Sequence, residues 1–433
     1  MKSIDKITAS TLFLEKNYYK SITMLGILIC VIWAAVVNTK PFSDFAYYDE
    51  VARQIAAGGA WGDTYTSVGY SIVLGGIYKI FGSSLIVAKI FNLILTFFNY
   101  ILMYNILKSV ELKENKRKLV YALFVFFPDN IFYNSILATE ILFTTILLLI
   151  TLIYHKNIKH KYIIIGALTG MNTMIKPFFM IFFFAIFVIE IILKFKFIKV
   201  IKHSLIVLIT SALVISPWIY RNTKLIGQFT YVSNNSGIVL YINNNSQNHY
   251  GAWMPASEVE DSIVNKKEYK KANMTEKNNM LSDAAKKWIK EHPVQFVQLG
   301  FKRLYKTYLI GYSITYSFNG AGLNKITENI LTAYSSAISI LVAAVSIIVM
   351  IMYSKKVICS IFNKEKVNSY SVYSLICFYM FSCMYFITEG QPRYAFPVIF
   401  IMIYFFSDLI GIKKFRQEKI DSDHNALFTK SNL

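Results

Sequence analysis

Three carboxylates lie in a short polar segment directly after the first hydrophobic run of the chain. Asp44, Asp49 and Glu50 fall within residues 43–53, which follow the apolar residues 21–37. Acidic side chains at a membrane surface are costly unless they are paired or used. This segment is therefore the first place to look for chemistry.

Helical spacing separates Asp44 from the other two acids. At about 100° per residue, Asp44 shares a helix face with Tyr48, whereas Asp49 and Glu50 can each reach Arg53 at i+4 or i+3. A solvated, salt-bridged face is the simpler interpretation of Asp49 and Glu50, which stay secondary candidates. Helix capping suits Asp44, but capping alone does not explain an acid immediately after a membrane exit.

Two further charged residues stand where predicted spans begin or meet. Glu140 opens the strongly apolar run 141–154, and Lys176 precedes Pro177 at a junction of two spans. An acid so placed usually faces a cavity or a partner inside the bundle. We expect Glu140 to orient a substrate or a divalent metal ion, while Lys176 either binds substrate or extends its ammonium group to the membrane surface.

Two arginines fall on the outer side, against the usual bias of basic residues towards the cytoplasm. The guanidinium groups of Arg221 and Arg393 match the oxygen pair of a phosphate. Pairing of Arg393 with Glu389 is the structural alternative. An outer carboxylate near outer guanidinium groups predicts a lipid phosphate stabilised by arginine and a hydroxyl deprotonated by the acid.

Composition and charge distribution indicate a membrane protein. The 433 residues are 55% hydrophobic and 16% aromatic, and carry a net charge of +20. The lysines cluster between apolar runs, as the positive-inside rule predicts for cytoplasmic loops, which argues against a nucleic-acid partner. The four cysteines and six histidines show no metal-ligand spacing. No P-loop, dinucleotide-binding motif or HExxH motif is present.

The sequence predicts an all-α polytopic membrane protein of about ten spans, within a range of 9–13, with both termini cytoplasmic. The predicted spans are 21–37, 84–107, 119–135, 138–154, 162–176, 178–193, 203–219, 329–353, 370–388 and 394–411. The corresponding regions are a first membrane part (1–219), an outer segment (220–328), a second membrane part (329–412) and a cytoplasmic tail (413–433).

Two outer segments are longer than simple turns. In residues 38–83 we expect a helix over 44–57, capped by Ser43 and stopped by Gly58-Gly59, and then an interfacial stretch over 65–82. Residues 220–328 are expected to cover the membrane part. They contain an Asn-rich loop (234–248), a charged helical stretch (258–291) and a basic amphipathic segment that leads back to the membrane (301–316).

The segment after the first span resembles a motif of the GT-C glycosyltransferases, in particular bacterial relatives of the aminoarabinose transferases and protein O-mannosyltransferases. In that family a D-E-x-x-Y-x-x-aliphatic-Ala pattern follows the first span. Here Asp44, Tyr48, Val51 and Ala52 match it, and Phe45 replaces the second acid. No phosphate-binding lysine of the aminoarabinose transferases is found near this point.

Further family-like elements follow in the same order along most of the chain. They are Gly69-Tyr70, Leu137-Ala138-Thr139-Glu140, Gly166 and Gly170 with Lys176-Pro177, Pro217-Trp218 with Arg221-Asn222, Gly237 with Asn243-Asn244-Asn245, and Arg393-Tyr394 with Pro397. Each element is short, and their order and spacing carry the resemblance.

The resemblance implies an inverting transfer of a sugar from a polyprenyl-phosphate donor at the extracytoplasmic face, with Asp44 as the general base. The acceptor would be a lipid, a glycan or a protein, in a bacterial cell membrane. It implies substrate-binding roles for Tyr48, Tyr70, Glu140, Lys176, Arg221, Arg393 and Tyr394. No cofactor is indicated with certainty, and a divalent metal is the open alternative.

Two other classes of membrane protein also handle lipid-linked saccharides. A flippase or transporter would use outer arginines and buried acids too, although transporters often contain internal repeats, and none is evident here. An O-antigen-type polymerase is the third alternative.

Overall fold

The structure of the protein is a computed structural model, and it describes residues 17–408 except 111, 364 and 365. The predicted cytoplasmic tail over 413–433, the end of the last predicted span and the basic residues before Asn17 lie outside the described residues. In the part that is described, every regular element is a helix and there is no β-strand.

The helices are α1 (Tyr18–Val36), α2 (Ser43–Ala56), α3 (Gly69–Phe81), α4 (Leu85–Ser109), α5 (Glu114–Val125), α6 (Pro128–Phe132), α7 (Thr139–His155), α8 (Lys161–Ile175), α9 (Phe182–Ile192), α10 (Phe197–Ile226), α11 (Ser236–Asn243), α12 (Lys267–Lys271), α13 (Met274–Glu291), α14 (Pro293–Leu309), α15 (Lys325–Asn363) and α16 (Ser369–Ile387). Residues 399–408 are also helical. Short 3₁₀ helices cover Tyr133–Ser135, Pro177–Ile181, Ala256–Glu258, Ile263–Asn265, Ser313–Phe318 and Pro392–Val398.

Five of these helices are long and apolar enough to cross a membrane: α1, α4, α10, α15 and α16. Shorter apolar helices cover Gly69–Phe81, Thr139–His155 and Pro177–Ile192. Many of their apolar side chains are exposed on the outside of the bundle, as expected for a protein surrounded by hydrocarbon. The prediction of an all-α polytopic membrane protein is confirmed.

Proline residues accompany the departures from regular α-helix in three of the predicted spans. The segment predicted over 119–135 divides after α5, and the chain restarts as α6 at Pro128. Pro177 and Pro392, just before the spans predicted over 178–193 and 394–411, each begin a 3₁₀ helix that replaces the first α-helical turn of the span. Proline lacks an N–H donor and is suited to the first helical turn. Two of these breaks directly adjoin the predicted site residues Lys176 and Arg393.

The first outer segment forms two packed helices, close to expectation. Helix α2 covers Ser43–Ala56 and α3 covers Gly69–Phe81. The predicted cap is wrong, because Phe42 precedes the helix and Ser43 itself has a φ of 47°. Gly58, at a φ of 78°, follows the helix end as predicted.

The second outer segment is more helical than predicted. The Asn-rich stretch contains helix α11, where a loop was expected. The charged stretch divides into short turns followed by α13, which begins with a capping box between Asn273 and Glu276. The basic amphipathic segment over 301–316 is divided between α14 and the 3₁₀ helix Ser313–Phe318.

Glycines let α8 and α10 pack closely. A Cβ atom added at Gly166 would lie 2.9 Å from the carbonyl oxygen of Val207, and one at Gly170 would lie 2.7 Å from Cβ of Val214. The Ser211 hydroxyl also donates to the Gly166 carbonyl at 2.9 Å. This is the small-residue packing typical of membrane helices, and it fixes the helix that ends at Lys176.

A fully buried arginine joins the second outer segment to the membrane part. Arg303 of α14 donates to the carbonyls of Phe386 and Ile387 at the end of α16, and also to the Asn243 carbonyl and the Asn244 side chain. Burial lowers its pKa to about 10, against the opposing effect of the Glu389 charge. The guanidinium therefore remains charged at neutral pH, at the helix end that favours a cation.

We predict that Arg303→Met destabilises the protein by about 2 kcal/mol or more, because it leaves several buried acceptors without a donor. Lys302→Met is the matched control, since Lys302 is exposed and donates only to the His249 carbonyl. The measurement is thermal unfolding of both purified variants in detergent. Equal melting temperatures for the two variants would show that Arg303 does not hold the outer segment in place.

Candidate active site

The predicted base and the predicted phosphate ligand form an ion pair. Arg393 Nη2 lies 2.9 Å from Asp44 Oδ2, although the two residues are 349 positions apart in the chain. The Asp44 side chain is 50% exposed, whereas that of Arg393 is only 11% exposed. Asp44 stands in the first turn of α2, where the helix dipole favours a carboxylate. The acid is therefore oriented and remains accessible.

A relay of polar side chains fixes the Arg393 guanidinium. Arg393 Nε donates to Gln391 Oε1 at 2.8 Å, and Gln391 Nε2 donates to Glu389 Oε1 at 2.7 Å. The Tyr394 hydroxyl donates to the other Glu389 oxygen at 2.8 Å. Glu389 thus supports Arg393 through Gln391, and the direct pairing considered from the sequence is not formed.

Aromatic rings surround the same guanidinium. The rings of Phe45, Tyr316 and Tyr394 have centroids 5.2, 5.7 and 5.5 Å from the Arg393 Cζ atom. Their faces attract a cation and limit its hydration. Phe45, which replaces the second acid of the family pattern, therefore packs against the arginine.

A second ion pair lies beside the first. Lys176 Nζ is 3.6 Å from Glu140 Oε1, and the Glu140 side chain is 1% exposed. The same ammonium lies 5.3 Å from the centroid of the Tyr394 ring. The Tyr394 ring therefore lies close to both cations, Lys176 and Arg393.

The residues around Glu140 do not fit a divalent metal ion. Across the described residues, no three His, Cys, Asp or Glu side chains cluster as metal ligands. The Glu140 carboxylate faces the Lys176 ammonium, which supplies the positive charge that a metal would bring. A divalent ion requires several oxygen or nitrogen ligands that converge on one point.

Tyr48, one helical turn after Asp44, packs against Tyr70 of the neighbouring helix. The rings of Tyr48 on α2 and Tyr70 on α3 meet edge to face at 5.8 Å. Burial and the Asp44 charge raise the pKa of Tyr48, so its hydroxyl stays protonated. The Tyr70 hydroxyl has no hydrogen-bond partner in the part of the chain that the structure describes. It is a buried donor that a polar substrate group can use.

The two secondary acids are placed away from this centre. Asp49 is buried, and it accepts hydrogen bonds from Arg53 at 2.8 Å and from Tyr78 at 2.6 Å. Glu50 is exposed and accepts from Gln54, so the expected contact with Arg53 forms for Asp49 alone. Asp49 is also less solvated than expected, because it fastens α2 to α3.

Arg221 is not brought next to Asp44. It donates to the backbone carbonyls of Trp61, Gly62 and Asp63 in the first outer segment. Its guanidinium lies 4.4 Å from the centroid of the Trp218 ring. The arginine holds the turn between α2 and α3 against the end of α10.

Sequence reasoning missed three residues of this site. Gln391, Phe45 and Tyr316 all contact Arg393. The polar cluster around Gln391 at a span end was a usable signal. Tyr316 gave none, because it comes from the distant outer segment.

Comparisons with known proteins were made on both sequence and structure. No protein-family model matches the chain, and no curated protein matches it significantly. The structure, however, is similar to crystal structures of the oligosaccharyltransferase of Archaeoglobus fulgidus.

One of these carries a tethered acceptor peptide with an NVT sequon; its TM-score is 0.51 at 11% identity, over 93% of this chain and 50% of the other. For the apo form, the TM-score is 0.51 at 11% identity, over 96% of this chain and 52% of the other. A third structure is that of AglB with an inhibitory peptide and a dolichol-phosphate. Its TM-score is 0.49 at 12% identity, over 95% of this chain and 52% of the other.

This chain therefore spans about half the length of the solved structures that it resembles. The likeness nevertheless extends over nearly all of its own length. The comparison therefore shows that the chain shares the overall fold of the matching half of these archaeal oligosaccharyltransferases.

Proposed function

We propose that the protein transfers a sugar from a polyprenyl-phosphate donor to a hydroxyl or amine of an acceptor, at the extracytoplasmic face of a bacterial cell membrane. The observation that carries the proposal is the half-exposed Asp44 carboxylate, 2.9 Å from a buried, aromatic-lined Arg393. A base beside an anion-binding group is what displacement of a phosphate from a sugar requires.

In the proposed reaction, Asp44 takes the proton of the acceptor hydroxyl as the acceptor oxygen attacks the anomeric carbon. The bond between that carbon and the phosphate oxygen breaks, and the electron pair leaves with the polyprenyl phosphate. A single displacement of this kind inverts the anomeric configuration. No covalent sugar–enzyme intermediate is formed.

Two cations stabilise the leaving phosphate in this proposal. Arg393 uses one terminal nitrogen on Asp44 and its Nε atom on Gln391, which orients the planar group. Lys176 lies across the Tyr394 ring, with Glu140 as its counter-ion. As the phosphate gains charge in the transition state, the preoriented cations stabilise it without needing to reorganise.

The remaining residues shape the substrate site. Tyr48 and Tyr70 present aromatic surface and hydroxyl donors next to Asp44. We propose that Arg221 acts through the backbone of the first outer segment rather than on the phosphate.

The acceptor that we propose is a lipid, a glycan or a protein outside the cytoplasm. A peptide acceptor is attached in one of the similar archaeal structures. The lysine clusters between apolar runs support cytoplasmic termini, and hence an extracytoplasmic position for Asp44. A transporter of lipid-linked saccharides is less well supported, because the paired charges are gathered around one set of span ends.

We predict that Asp44→Asn lowers sugar transfer by about 10²–10⁴-fold, since the amide cannot accept the acceptor proton. Transfer is measured in membranes supplied with a radiolabelled lipid-linked sugar pool. Glu50→Gln is the matched control, because Glu50 is an exposed acid on the same helix. Undiminished transfer by a normally expressed Asp44→Asn variant would exclude Asp44 as the base.

We further predict that Arg393→Lys lowers transfer by about 10²-fold or more, because an ammonium keeps the charge but loses the planar fork. Arg53→Lys serves as the control, since Arg53 lies on α2 and pairs with Asp49 instead. The assay is the same transfer reaction at matched protein levels. If both variants keep wild-type rates, positive charge alone at this position is sufficient and the proposed role of the planar guanidinium is wrong.

A further inference from the structure

An open cavity lies at the end of α1 that is remote from Asp44. It has a volume of about 580 Å³, and it is lined by the first residues of α1, the last turns of α4 and the start of α5. Helix α1 has 19 residues, and so is about 28 Å long. The cavity and the candidate active site therefore lie at opposite membrane faces.

Four tyrosines form a wall of this cavity, and hydrogen bonds hold three of them in place: Tyr18, Tyr19 and, through the Thr23 hydroxyl, Tyr121. The ring of Tyr19 lies 4.9 Å from that of Tyr104 and 5.3 Å from that of Tyr121. The Tyr19 hydroxyl donates to Glu114 at 2.8 Å, and that of Tyr18 donates to the Lys118 carbonyl at 3.0 Å. Tyrosines in such numbers are typical of the headgroup level of a membrane.

Two lysines supply positive charge to the same cavity. Lys20 and Lys118 both line it, and the Lys118 ammonium lies 5.4 Å from the centroid of the Tyr18 ring. Within the described part of the chain, neither lysine forms a salt bridge. The neighbouring acid, Glu114, is already engaged by Tyr19 and by Arg117 at 3.3 Å. The ammonium groups are therefore available to an anion.

The membrane-facing edge of the cavity is apolar. Met24 of α1 and Phe97 and Ile101 of α4 line it, and they are 73%, 44% and 38% exposed. Leu28 and Ile94 extend the exposed apolar surface by about one helical turn on each helix. A ligand that fits must be anionic at one end and apolar at the other.

We propose that this cavity binds an anionic glycerophospholipid of the adjacent leaflet. Its phosphate contacts Lys20 and Lys118, its headgroup lies against the tyrosines, and an acyl chain runs over Met24, Phe97 and Ile101. A free phosphate would leave the apolar edge uncovered, and a neutral lipid would leave the two ammonium groups unpaired. The proposal does not depend on the reaction proposed above.

The test uses the full chain, purified in a neutral detergent and titrated with phosphatidylglycerol or phosphatidylcholine. Bound lipid is counted by native mass spectrometry. We expect one tightly bound phosphatidylglycerol, and about tenfold or more weaker binding in the Lys20→Ala/Lys118→Ala variant. Lys156→Ala/Lys159→Ala is the charge-matched control, because both of these lysines are exposed in the loop after α7 and outside the cavity.

A second variant tests the apolar edge without changing the charge. Ile101→Trp fills the acyl surface and is expected to weaken phosphatidylglycerol binding while leaving the lysines intact. If the double lysine variant does not fold, Ile101→Trp still tests the site, because unchanged phosphatidylglycerol binding in this variant would contradict the proposal.

Three results would overturn the proposal. They are equal binding of the two lipids, an equal loss in the control variant, and full displacement of the lipid by inorganic phosphate. The last result would identify a site for free phosphate instead of a lipid site.

Discussion

Charges placed at the edge of a hydrocarbon layer are costly unless each has a partner, and the Asp44–Arg393 ion pair meets this constraint at the candidate active site. It connects the first outer helix to the start of the last helical segment, 349 residues later. Truncating Asp44 leaves the buried Arg393 guanidinium without this counter-ion, which is destabilising. The surrounding structure is arranged to keep both partners in reach.

That arrangement is built in layers. The Glu389–Gln391 relay orients Arg393, and buried Arg303 ties the end of α16, just before this relay, to the second outer segment. On the other side, Asp49 fastens α2 to α3, and Arg221 fixes the turn between them. Prolines at 177 and 392 interrupt the helices where Lys176 and Arg393 are needed. Irregular backbone at membrane depth is tolerated where it lines a polar site.

Much of this could be predicted from the sequence, because hydrophobic runs and misplaced charges are local signals. The runs located the main helices, and Asp44 was separated from Asp49 by helical periodicity alone. Arg393 stood out because it opposes the distribution of the other basic residues. Glu140 and Lys176 were selected because they are charged residues where predicted spans begin or meet, and they pair with each other.

What the sequence did not indicate depends on distant packing. Tyr316 reaches Arg393 from the second outer segment, and no spacing rule connects the two. Arg221 was expected near the phosphate, but an arginine that binds a loop backbone has the same sequence signature. The Asn-rich stretch was expected to be a loop, but its asparagines bond to the carbonyls of α11 and stabilise the end of that helix.

The proposed site is tested most directly by a structure of the protein in lipid with polyprenyl phosphate bound. We predict that the phosphate lies within hydrogen-bonding distance of both Arg393 and Lys176, with the Asp44 carboxylate facing the side from which an acceptor enters. A phosphate bound at another part of the protein, with the Asp44–Arg393 pair unchanged and uncontacted, would contradict it.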